Sequence, residues 1–186
     1  MEIMSCASPN EFRDWLRNNH RQSKGVWLRV YKKDSGVTTV TYPQALDQAL
    51  CFGWIDGQKR PYDGQSWLTR FTPRRPKSGW SKVNTQHAQR LIESGEMAPS
   101  GLREVDAAKA DGRWKAAYDS FGKAVVPEDF LKELVKNKKA SAFFETLNKT
   151  NLYSIVYRLQ TSKKPETRER WKQRIIQMLE RGEKFH

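Results

Sequence analysis

The chain has 186 residues, enough for one substantial domain or two small ones, and 37% of them are apolar. Thirty-four Lys and Arg against 21 Asp and Glu give a formal net charge of +13, which favours anionic partners. Charged and periodic apolar positions are interleaved, which excludes a disordered chain. No apolar run reaches the roughly 20 residues of a membrane-spanning helix, so no membrane insertion is expected.

The first element is a helix starting at Pro9–Glu11, capped by Ser8 or Asn10, with Phe12, Trp15 and Leu16 on one face. Val26, Leu28 and Val30 then alternate with Trp27, Arg29 and Tyr31, the pattern of a half-buried strand. A turn at "DSG" leads to "VTTVTY", a short second strand or an extended arm. Pro43 opens a helix whose stripe is Ala45, Leu46, Ala49 and Leu50, and Gly53 closes it. "WIDGQKR" and "QSWLTRFTPRR" read as two strands joined through "PYDGQ", where Asp-Gly signals a hairpin.

Beyond Trp80 the pattern is helical. "VNTQHAQRLIESG" closes on Gly95, "PSGLREVDAAKADG" runs from Pro99 to Gly112, and "RWKAAYD" continues after it. "SFGKAVVP" reads as a linker. Four further helices follow, with Pro127 and Pro165 in first-turn positions and Thr161 or Ser162 as a cap near the last one. There Trp171, Ile175, Met178 and Leu179 share a face. The expected fold is α+β: a small, mostly antiparallel sheet with flanking helices, followed by an all-helical C-terminal subdomain. Its boundaries fall as an α+β region over 1–82, a helical connecting region over 83–123 and the helical subdomain over 124–186.

The stretch "RFTPRRPKSGWSKVN", Arg70–Asn84, holds five cations and no carboxylate. Across a hairpin ladder, Arg70, Arg74, Arg75 and Lys77 approach Lys59 and Arg60, with Trp54 and Trp80 as walls and Ser81 as a hydroxyl donor. Arginine's planar fork suits phosphate or carboxylate. An anionic small molecule or phosphate-bearing ligand is therefore the expected partner.

Two other classes stay open. A nucleic-acid-binding protein would use the basic surface and the last helix, with Lys163, Lys164, Arg168, Arg170, Lys172 and Arg174. An enzyme acting on an anionic small molecule would use Asp56 as its base. No nucleophile–base pattern supports catalysis. His20, His87 and His186 have no metal spacing, and no cofactor motif occurs. Cys6 and Cys51 make no disulfide framework, and Cys51 in "ALCFGWI" reads as a small buried hydrophobe. No basic stretch followed by an apolar one marks an export signal, so the expected compartment is the cytoplasm. The oligomeric state is not legible.

"ALCFGWIDGQKRPYDGQSWLTRFTPRRPKSGWSKVN", "RLIESGEMAPSGLREVDAAKADGRW" and "YRLQTSKKPETRERWKQRIIQMLERGEKF" occur in this order. Together, from about Phe12 to Phe185, they resemble the YdeI/OmpD-associated, or bacteriocin-protection, family. The resemblance implies a role in tolerance of bacteriocins or cationic antimicrobial peptides and association with an outer-membrane porin.

Overall fold

In the computed structural model, which describes residues 1–186, the chain forms two compact units. The first comprises Met1–Trp80 with Asn84–Ala116, and the second Ser81–Val83 with Ala117–His186.

The first unit is built on a four-stranded sheet. Strands β1 (Ile3–Ser5), β2 (Val26–Tyr31), β3 (Trp54–Asp63) and β4 (Ser66–Pro73) lie in the order β1-β2-β4-β3. β1 pairs with β2 in parallel, and the other two pairs are antiparallel. β1 escaped the sequence reading because three residues are too few to show alternation. "VTTVTY" is not a strand: Val40 N–H donates to the Cys6 carbonyl, and the Thr41 carbonyl accepts the Ala45 amide of the next helix.

Helix α1 (Pro9–Asn19) starts where Ser8 accepts the Glu11 amide, and it buries Phe12 and Leu16 completely. Phe12 meets Phe71 on β4, and Trp15 meets Trp54 edge-on, so α1 lies on the sheet face that carries Val26, Leu28 and Val30. Each fully buried side chain of this kind contributes about 1.5–3 kcal/mol. Helix α2 (Tyr42–Cys51) has a Thr41/Gln44 capping box and packs against α1, β3 and α4. Helices α3 (Lys82–Glu93) and α4 (Pro99–Ala110) follow, and "RWKAAYD" forms turns rather than a continued helix.

The second unit is helical, with α5 (Glu128–Leu134), α6 (Lys138–Phe144), α7 (Lys149–Thr161) and α8 (Pro165–Glu180). Its core gathers Phe130, Leu134, Ala140, Ile155, Leu159, Ile175 and Leu179, with Trp171 and Met178 packed against it. Lys164 is the residue before α8, not Thr161 or Ser162, because Pro165 fixes the start of the first turn three residues later. Ser81 sits in this unit, bridged to Tyr118. No helix is long and apolar enough to cross a membrane.

A basic, aromatic cleft as the candidate functional site

Successive residues of a strand project to opposite faces, and this separates Lys59 from Arg60 on β3. Lys59 Nζ stands 3.5 Å from the centroid of the Tyr42 ring at the start of α2. Arg60 lies over Trp27, 4.4 Å from its ring centroid, on the opposite face of the sheet. Near the hairpin turn the two faces meet at the sheet edge. A cleft of about 510 Å³ opens there, lined by Lys32, Tyr42, Lys59, Arg60, Pro61, Asp63, Ser66 and Trp67.

The electrostatics of this cleft are one-sided. Its carboxylate, Asp63, receives Arg29 at 2.5 Å on one oxygen, and the Ser66 hydroxyl and Gln65 amide on the other. The Ser66 hydrogen bond, with further help from the Gln65 amide and Arg29, lowers the Asp63 pKa. Arg29 is itself held between the Tyr31 and Tyr62 rings, at 4.3 and 4.8 Å. That clamp closes the hairpin and commits Asp63 to Arg29, Ser66 and Gln65, not to Lys59 or Arg60. Lys32 Nζ donates to the Gly64 carbonyl at 2.7 Å, a neutral partner that leaves its charge uncompensated.

Asp56 stands one hydrogen bond behind the cleft, accepting from the Tyr42 hydroxyl at 2.7 Å. Burial, then the hydrogen bond and charge of Asp56, hold the Tyr42 phenol well above its ordinary range. The phenol therefore keeps its proton and fixes the ring on which Lys59 rests. The two cysteine thiols are buried, and burial pushes Cys6 up to about 11 and raises Cys51 as well. A raised thiol is a poor nucleophile.

The cations of Arg70–Lys77 do not converge on Lys59 and Arg60. A register shift between Asp56 and Lys59 sets Arg70 opposite a bulge, so no β3 side chain pairs with it. Arg74 is 7% exposed; its guanidinium lies 3.5 Å from the Trp80 centroid and donates to the Gly79 carbonyl. Arg75 and Lys77 are exposed on the turn beyond it. Trp54 is buried, donating its indole N–H to the His20 carbonyl, and Trp80 packs on Trp114. The two tryptophans are core residues, and the turn is tied down from within by Arg113, which donates to the Ser78 carbonyl at 2.9 Å.

Lys59 and Arg60 thus line the cleft with Trp67, one of the tryptophans interleaved with the cations in sequence, whereas Tyr42 and Lys32 complete it without having been singled out. Lys32 continues the β2 alternation by one residue, and Tyr42 precedes a helix-opening proline. Neither signal says what lies across the gap.

Comparison with known families divides the chain at a similar place. Residues 4–104 match a family described as a domain of unknown function, DUF8412, which covers more than half of the chain. The chain belongs to the DUF8412 family. Residues 123–182 match the family described as bacteriocin-protection, YdeI or OmpD-associated, which bears out the resemblance in its last stretch, "YRLQTSKKPETRERWKQRIIQMLERGEKF"; the other two stretches lie outside that match. The hairpin motifs "WIDGQKR" and "SWLTRFTPRR", and the cleft they form, lie in the DUF8412 part. No curated protein and no solved structure matches the chain.

In the YdeI/OmpD-associated region the last helix is partly neutralised. Arg168 grips Asp129 with both of its Nη nitrogens, and Lys172 pairs with Glu169 and lies near Asp129. Two of the four central cations of α8 are thereby committed within the unit, which weakens the helix as a surface for nucleic acid.

Proposed function

We propose that the DUF8412 part of this chain is a cytoplasmic anion-binding module whose site is the cleft at the hairpin end of the sheet. The observation that carries this reading is the convergence of Lys32, Lys59 and Arg60 on a cleft whose carboxylate is already held by Arg29 and Ser66. Tyr42 and Trp67 add ring surface beside those charges, so the fitting ligand is a phosphate or carboxylate attached to a flat or apolar group. Lys59 and Arg60 bind the anion, and Tyr42, fixed by Asp56, orients Lys59.

The family description links the C-terminal region to bacteriocin protection. With a net charge of +13 the chain repels cationic peptides. A tolerance role for this protein is therefore indirect, through an anionic ligand and not through capture of the peptide.

The test is calorimetric titration of the whole chain with nucleoside monophosphates and aromatic carboxylates. Binding should be saturable and weaken roughly tenfold or more in a K59A/R60A double variant, as loss of charge-assisted hydrogen bonds requires. If no member of the panel binds, or the double variant binds as well as the parent, the proposal is wrong.

A further inference from the structure

The second unit holds a different gathering of cations. Trp171 on α8 is half-buried, and two guanidiniums lie over its indole: Arg158 of α7 at 4.5 Å from the centroid and Arg174 of α8 at 5.3 Å. Arg158 is also 6.0 Å from the Phe185 ring. Arg170 and Arg174, one turn apart, join Trp171 in lining a hollow of about 290 Å³.

None of these three arginines has an ion-pair partner. Glu169 is taken by Lys172 and Gln173, and Asp129 by Arg168, while Glu183 lines the adjoining groove with Arg170 and Arg174 and pairs with neither. Glu166, one turn before Arg170, makes no ion pair with it, and Arg170 reaches only the Thr167 hydroxyl, at 3.4 Å. The Nε of Arg158 is buried with no hydrogen-bond acceptor.

Guanidiniums repel one another, and a buried N–H without an acceptor costs about 1–3 kcal/mol. Bringing two of them to one ring, with a third at the rim and no acid paired to any of the three, is stabilised by an anion among them or by full solvation. The buried Nε of Arg158 argues against full solvation. The hollow is too small for a large ligand and suits one compact group with several acceptor oxygens, which planar guanidiniums hold in a forked manner.

We infer that Arg158, Arg170 and Arg174 around Trp171 form a second anion site, in the YdeI/OmpD-associated region, that takes the phosphoryl group of a small phosphate monoester. Arg158 supplies the inner donors, Arg174 and Arg170 close the outer side, and Trp171 positions both flanking guanidiniums. The site is independent of the cleft at Lys59 and Arg60.

The experiment is titration of the full chain at low ionic strength with glycerol 3-phosphate and AMP, and with glycerol and adenosine as their uncharged counterparts. Both monoesters should bind saturably and the uncharged counterparts should not. R158Q and R174Q should each weaken binding roughly tenfold to a hundredfold, whereas K59A/R60A should leave that binding component in place. R170Q and R174Q change exposed side chains, so they report on the site even if R158Q fails to fold. Glycerol binding as well as glycerol 3-phosphate would overturn the inference. So would binding of glycerol 3-phosphate, which lacks the flat group that the cleft takes, if it survives R170Q/R174Q or vanishes in K59A/R60A, or an absence of saturable binding.

Discussion

Arg168 and Asp129 meet as a two-pronged pair, Nη1 to Oδ2 at 2.5 Å and Nη2 to Oδ1 at 2.8 Å, and so tie α8 to the start of α5. The Arg168 hydrogen bonds, with its charge and that of Lys172, lower the Asp129 carboxyl to about 2. A carboxylate depressed in the folded state adds stability above its unfolded pKa of about 4 and loses it as pH falls toward 2. Asp129 is 49% exposed, so solvent screening reduces the contribution to about 1 kcal/mol. D129N should therefore lower the urea midpoint at pH 7, and the gap to the parent should close between about pH 4 and pH 2. A gap that stays constant with pH would show that the pair is not responsible.

Arg74 is the buried cation of the first unit's basic segment, stacked on Trp80 and bonded to the Gly79 carbonyl. R74A removes a desolvated cation–aromatic contact and a charged hydrogen bond, for an expected loss of about 2–3 kcal/mol. Arg75 is exposed, and R75A should stay within about 0.5 kcal/mol of the parent. Thermal melts of the two variants decide the point: equal melting temperatures would mean that Arg74 is a ligand residue, not a packing residue.

That contrast explains why the fold was more legible than the site. Caps and stops are local, so Ser8, Pro43, Gly53, Asp63-Gly64 and Pro165 marked their elements well. The hairpin was visible too, but its bulge was not. Gly57 and Gln58 insert opposite Arg70 and break the facing of cations that an unbroken ladder would produce. Nor does sequence distinguish Arg74, which turns inward onto Trp80, from Arg75, which turns out. The pairing of Lys59 with Tyr42 joins a strand to a helix start 17 positions earlier, and no periodicity within either element encodes it.

The same turn contains a strained residue. Lys77 has φ of 64°, in the left-handed region that a Cβ makes costly by roughly 1–2 kcal/mol. Glycine relieves that cost but gains freedom in the unfolded chain. K77G should therefore raise stability by about 0.5–1 kcal/mol, and K77V should lower it, since a branched Cβ suits this region worst. Denaturant melts of both variants check the order. A K77G variant less stable than the parent would mean that the lysine side chain makes a contact outweighing its strain.

Gly101 on α4 marks the closest approach within the first unit. A Cβ there would stand 2.3 Å from the Cys51 carbonyl oxygen and 2.5 Å from Met97 Sδ. Met97 has a flexible side chain and can move. The Cys51 carbonyl cannot, because it belongs to the end of α2 and accepts the Ala98 amide that begins α4. G101A must push the two helices apart, stretch that hydrogen bond and loosen the buried Cys51 and Met97, for a loss near the upper end of about 1–3 kcal/mol. Gly122, whose Cβ would meet nothing within 4 Å, supplies the comparison. G122A should leave the melting temperature within a degree or two of the parent, since a surface change away from any contact is nearly neutral. Because Cys51 is shielded by this packing, G101A should also speed its reaction with a thiol reagent, a readout that G122A should not move. Equal labelling rates in the two variants would show that α4 does not need a residue without a side chain at this crossing.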